Sequence, residues 1–202
     1  MAYPVPYRLV IPILVVLPIL AMFTALGSGG LYRLDKNKND VHPDLAIPFI
    51  APGFILMLRM VTDFEFVTWG SAVAMGLVLG LVICGFSMLC DTNLRAKIGM
   101  LLALVFCTSI YGLGVVRAAD TLLDRSEPAI YSAQILRKYV VSGKHTDYRL
   151  DLPPWGPNDR NNSVSVSRDY FESLAEGDRV CMFLRNGALR MAWYRVGPCP
   201  SE

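Results

Sequence analysis

Histidine is nearly missing from this chain: His42 and His145 are the only two in 202 residues. That scarcity removes the side chain most often used as a general base near neutral pH. His145 stands in the polar turn SGKHT next to Asp147, where a solvated turn residue is the ordinary reading. The motifs that announce catalysis are missing too. There is no P-loop, no dinucleotide fingerprint and no HExxH, and Ser163, Ser165 and Ser167 alternate without a GxSxG setting. Asp147, Asp151, Asp159 and Asp169 lack the spacing of a calcium loop. Charge is scarce as well, at 18% of residues, with 19 basic against 17 acidic side chains and a net charge of +2. No basic stripe points to nucleic acid, and no acidic tail points to a solvating segment. The expectation is a protein that is not an enzyme and needs no cofactor.

What the chain has instead is apolarity. It is 53% hydrophobic with a mean hydropathy of +0.41, which points to membrane insertion. The apolar runs crowd into residues 1–116, the expected transmembrane domain, and 117–202 read as a polar, turn-rich domain. Residues 9–27, 66–90 and 98–116 are runs of spanning length. Pro12 and Pro18 in the first fit a membrane helix, where proline is tolerated. That run is too long for a signal core and lacks a clear cleavage site, so it reads as an uncleaved anchor. Residues 45–60 are shorter, interrupted by Pro48, Pro52 and Gly53, and carry Arg59. They read as a fourth span with a snorkelling arginine, against a re-entrant or interfacial segment. Three or four spans are therefore expected.

Orientation follows from basic residues in short loops. Arg95 and Lys97 mark 91–97 as cytoplasmic, and with four spans Arg33, Lys36 and Lys38 join them, against Arg8 and Arg59 outside. With three spans the N-terminus becomes cytoplasmic instead. Either count sends 117–202 outward. Ala72, Gly76, Gly80 and Cys84 recur every four residues along one helix side. They form either a seam for a homo-oligomer or a packing face against a neighbouring span of the same chain, the second being the simpler. Cys84, Cys90 and Cys107 read as small apolar membrane residues. Arg59 is the only charge read inside an apolar segment, which weakens a transport reading.

The polar half reads as five short strands: 131–141, 147–152, 163–167 and a closing hairpin, with one or two helical turns at 168–178. That suggests a small all-β domain, an OB-like or SH3-like barrel or rolled sheet. Asn186-Gly187 favours a two-residue turn, which pairs Leu184 with Leu189, Met182 with Met191 and Val180 with Trp193. Cys181 then faces Ala192, and a further extended strand would carry Cys199 about 23 Å away. The chain must reverse at Gly197-Pro198 if the two are to bond. A Cys181–Cys199 disulfide is the expectation, over two free thiols or metal ligation, and a loop of this size contributes on the order of 3 kcal/mol. No metal site is expected. Trp155 in PPWGP, with Tyr148 and Tyr194, forms the binding candidate. The alternative for Trp155 is a ring folded over the barrel end or resting on the membrane interface.

Tyr148, Leu150 and Leu152, then Trp155-Gly156-Pro157, Tyr170, Leu174, Gly177-Asp178 and Val180, and finally Gly187, Leu189, Trp193-Tyr194, Val196 and Pro198-Cys199 make a pattern. It resembles uncharacterised bacterial inner-membrane proteins in which a few spans precede a small C-terminal β-domain. The resemblance implies architecture and a bacterial envelope location, and carries no catalytic residues. Together these readings predict a multi-pass inner-membrane protein with an extracytoplasmic C-terminal domain. Its partners would be the lipid bilayer and an envelope protein or glycan, and its work would be binding or accessory. The competing reading is a small channel, transporter or transporter subunit.

Overall fold

The computed structural model describes residues 5–29, 31–34, 44–90, 98–142 and 146–200. Lys36, Lys38, His42, Arg95, Lys97 and His145 lie outside the described residues. The chain forms a helical unit, residues 5–63 and 69–123, and a β-unit, residues 64–68 and 124–200.

The helical unit contains α1 (Val5–Gly27), α2 (Ala46–Asp63), α3 (Gly70–Cys90) and α4 (Ile98–Leu122). Each is long and apolar enough to cross a membrane. Residues 45–60, open between a span and an interfacial segment in the sequence, are helical from Ala46 and run on to Asp63. Two boundaries differ from expectation. The third helix starts at Gly70, not at Phe66, because Glu65 and Phe66 pair with a strand of the β-unit. The fourth does not stop at Val116 but runs to Leu122.

The glycines explain how α3 and α4 approach. A Cβ on Gly76 would lie 2.7 Å from the Leu113 Cα, and one on Gly80 2.6 Å from the Ser109 Cα. Gly112 on α4 answers with no room against the Gly76 carbonyl. Backbones this close leave no space for a side chain at either contact. Ala72, Gly76, Gly80 and Cys84 are all buried, so the four-residue stripe serves packing within the chain. The α2–α4 contact repeats the device: a Cβ on Gly53 would stand 2.9 Å from the Tyr111 Cβ. The Tyr111 hydroxyl donates to the Val15 carbonyl of α1.

The β-unit has β1 (Glu65–Phe66), β2 (Ala129–Gln134), β3 (Arg137–Val141), β4 (Asp147–Leu152), β5 (Asn162–Val166), α5 (Arg168–Glu172), β6 (Arg179–Arg185) and β7 (Trp193–Gly197). One sheet runs β1-β7-β6-β2 and the other β3-β4-β5. The expected single strand 131–141 is bent and serves both. Ile135 exchanges hydrogen bonds with Asp178 and Gly177 on the β6 side, and Leu136 N–H donates to the Asp151 carbonyl on the β4 side. Among the described residues no backbone ladder joins β5 to β1. The core is built from alternating inward positions, with Leu150, Leu152, Val164, Val180 and Met182 fully buried, worth roughly 1.5–3 kcal/mol each. α5 is shorter than the expected 168–178. Ser167 caps its start by accepting the Tyr170 N–H, and the chain leaves the helix for a turn in which Asp178 accepts the Ala175 N–H.

The hairpin departs most from expectation. Trp193 stands opposite Arg185, not Val180, and Tyr194 opposite Leu184. The slip is five residues, an odd number, so it exchanges the two faces of β7. Tyr194 enters the core, and Trp193 packs edge-on against Phe64 at 5.2 Å. The cause is tertiary. Residues 186–192 form a wide loop in which Asn186 N–H donates to the Ser126 hydroxyl and Gly187 N–H to the Asp124 carboxylate. Gly187 and Arg190 both have positive φ, 74° and 61°. The new register puts Cys181 opposite Gly197, and Cys181 bonds to Cys199 without the chain reversal that the expected register required.

Candidate functional site: the polar face and seam of the β-unit

Register makes the outward face of β3-β4-β5 readable as rows. Arg137, Asp151 and Ser163 form one row, and Tyr139, Arg149 and Ser165 the next, with Val141 and Asp147 after them. Side chains tie the rows together. Arg137 pairs with Asp151 at 2.9 Å, and Arg149 with Asp147 at 2.6 Å. Ser165 hydroxyl donates to the other Asp147 oxygen, and the Tyr139 and Ser163 hydroxyls share a hydrogen bond of 2.8 Å. Arg137 lies over the Tyr139 ring. This is a strand platform of hydroxyls, guanidinium groups and carboxylates, held by bonds between strands and, for Arg149 with Asp147, along β4.

Beside the platform, Asn162 of β5 donates its side-chain N–H to the Tyr194 hydroxyl of β7 at 2.7 Å. Three groups here are electrically displaced. Burial pushes the Glu65 carboxyl up, against the Ser165 amide and Arg149, while Asp147 adds to the rise. Burial likewise works to raise Asp147, but its bonds from Ser165 and Arg149 prevail and hold it below the usual range. Burial, with nearby Glu65, raises the Tyr194 phenol, so it stays neutral. Clusters of displaced groups are where binding or chemistry concentrates.

The residues singled out in the sequence are placed differently. Trp155 is 5% exposed. Its ring meets Tyr194 edge-on at 4.7 Å and Tyr131 at 5.8 Å. The Trp155–Asn158 turn, closed by two backbone hydrogen bonds, aims the indole into the core rather than presenting it. The exposed-aromatic expectation is thereby corrected: proline rigidity made the turn, and apolar burial decided where the ring went. Tyr194 is buried beside it, while Tyr148 packs on Phe171 at 5.2 Å. No family model, curated protein or solved structure matches this chain. The geometry alone carries the functional argument.

Sequence reasoning also missed a polar cluster in the helical unit. Arg117, Asp120 and Thr121 are buried on α4. Arg117 lies over the Trp69 ring at 4.6 Å and interacts with Asp120 one turn on. Thr121 Oγ donates to the Arg117 carbonyl at 2.9 Å. Arg59, read as the only charge inside an apolar segment, lies toward the C-terminal end of α2 with its side chain exposed and Asp63 3.6 Å away. The missed signal was continuity: nothing from Arg117 to Leu122 breaks a helix, and 117, 120 and 121 share one face. Among the described residues no group of three histidine, cysteine or acidic side chains is placed to hold a metal ion.

Proposed function

We propose that the protein is a non-catalytic, multi-pass binding or accessory subunit of a bacterial inner membrane. Its β-unit lies outside the cytoplasm, and the β3-β4-β5 face engages an envelope partner. The observation that carries this reading is the ordered platform of Arg137, Tyr139, Arg149, Ser163 and Ser165, whose side chains are pre-set by bonds between strands and, for Arg149 with Asp147, along β4. Pre-set polar groups on a rigid sheet lose little entropy on binding. The basic residues of the sequence segments 27–40 and 91–97 and the Cys181–Cys199 bond support the placement outside the cytoplasm.

A second reading draws on one specific observation. Arg117 and Asp120 are both buried in the helical unit, and ionisable residues inside spanning helices mark pathways or coupling sites. In this reading the chain is a small channel, transporter or transporter subunit working through its helices. Photo-crosslinking in intact cells separates the two. A crosslinking side chain is placed at Tyr139 or Ser165 in the full chain, and separately at Val78 or Leu81 on the exposed side of α3. A discrete adduct at the β-unit positions, lost on adding Arg149→Ala, supports the platform. Adducts at the α3 positions alone transfer the function to the helices.

A further inference from the structure

The chain passes between the helical unit and the β-unit three times, after Asp63, before Trp69 and after Leu123. Covalent continuity keeps Phe64, Thr68 and Asp124 within two residues of the ends of α2, α3 and α4. The loop 186–192 is tied to these junctions from within the β-unit. Asn186 N–H donates to the Ser126 hydroxyl and Gly187 N–H to the Asp124 carboxylate. At the other end of the loop the Ala192 carbonyl accepts the Val67 N–H at 3.1 Å. The loop is therefore fixed a few residues from the points where the chain enters and leaves helices of spanning length, however the two units are turned.

The side chains of this loop suit a bilayer surface. Residues 185–195 carry Arg185, Arg190 and Arg195 and no acidic residue. Leu189 is 40% exposed, while Met191 two residues on is 1% exposed and anchors the loop. A pairing centred on Asn186-Gly187 would have set Leu189 against Leu184. The slipped register gives that place to Tyr194 and leaves Leu189 outside the ladder. Arg190 is exposed beside it, in a turn closed by its N–H to the Gly187 carbonyl at 3.2 Å. Arg185 is drawn toward the α4 exit by its bond to the Ser126 carbonyl at 2.7 Å. An apolar tip flanked by guanidinium groups matches the boundary between acyl chains and phosphates. We infer that the loop 186–192 is a lipid contact of the β-unit. Leu189 enters the headgroup boundary of the membrane that the helices cross, and Arg190 pairs with the phosphate of an anionic lipid. The inference rests on the helices crossing a membrane, and needs neither the β3-β4-β5 reading nor a choice of side.

Two measurements on the full chain in lipid nanodiscs test this. A photo-crosslinking side chain is placed at Leu189, and separately at Val140 of β3, which is similarly exposed. In nanodiscs of phosphatidylcholine with phosphatidylglycerol, lipid adducts at 189 should exceed those at 140 severalfold by mass spectrometry. Hydrogen exchange of 186–192 should be severalfold slower in that mixture than in phosphatidylcholine alone, while 147–152 exchanges equally in both. The difference should shrink as salt rises from about 0.05 M to about 0.5 M, and Arg190→Gln should abolish it. Equal lipid adducts at 189 and 140 overturn the contact, and so do adducts at 189 to protein alone. Exchange of 186–192 that is the same in the two lipids, or a difference that survives Arg190→Gln, overturns it as well. The comparison of lipids on the unaltered chain stands whatever the variant does.

Discussion

Cys181 stands directly opposite Gly197 across the β6–β7 ladder, which leaves Cys199 two residues beyond and within bonding reach. A pairing centred on Asn186-Gly187 would have set Cys181 against Ala192 and left Cys199 a full strand away. The register, not a reversal after β7, brings the sulfurs together. The bond closes a sequence separation of 18 and fastens the last strand to the middle of its sheet.

Removing that bond should destabilise the β-unit by about 3 kcal/mol, the chain-entropy contribution of a loop of this length. Paired Cys181→Ala and Cys199→Ala changes, followed by denaturant unfolding of the full chain on tryptophan emission, measure it. In intact cells a membrane-impermeant thiol reagent should label Cys181 and Cys199 only after reduction. Labelling that requires permeabilising the inner membrane would reverse the proposed orientation.

Gly80 and Gly85 share a helix but not an environment. A Cβ at Gly80 meets the Ser109 backbone at 2.6 Å, and one at Gly85 meets nothing within 4 Å. Gly80→Val should therefore cost about 1–3 kcal/mol or separate α3 from α4, while Gly85→Ala should leave the detergent melting temperature nearly unchanged. Equal effects would mean that α3 and α4 do not meet at Gly80.

Asp124 accepts hydrogen bonds from Gly187 N–H at 3.1 Å and Trp193 Nε1 at 3.0 Å, and so shapes the loop that sets the β7 register. Burial works to raise its carboxyl, but bonds from Ser126, Gly187 and Trp193 together hold it below the usual range. A depressed carboxyl contributes stability above its ordinary value and loses it as pH falls through the depressed one. Asp124→Ala should cost about 1–3 kcal/mol, and Asp124→Asn should flatten the acid limb of stability against pH. Denaturation midpoints measured across the acid range check both, and an unchanged acid limb in Asp124→Asn assigns it to another carboxylate.

Local chemistry was readable wherever one segment decided its own fate. The apolar runs at 9–27 and 98–116 became α1 and most of α4, and the strand at 147–152 and the period-2 stretch at 163–167 became β4 and β5 with little change in bounds. The four-residue stripe of α3 announced a packing face because small side chains at that spacing admit another backbone. The platform rows were hidden for a different reason. Arg137, Arg149 and Ser165 are ordinary exposed residues until the ladder sets them side by side.

By itself the sequence determined three helices of spanning length and left residues 45–60 open as a fourth, with a strand-rich C-terminal half and a cysteine pair suited to bonding. All three follow from composition and short-range periodicity. Only the tertiary structure decided the rest. It drew Phe66 out of an apparent span and Glu65 from the link before it into a sheet, buried Trp155, slipped β7 by five residues and enclosed Arg117 with Asp120. Each of those outcomes depends on a partner far along the chain: Tyr194 for Glu65, the β-unit core for Trp155, Asp124 for the loop before β7, Trp69 for Arg117. Hydropathy and turn propensity act over a few residues and carry no information about such partners.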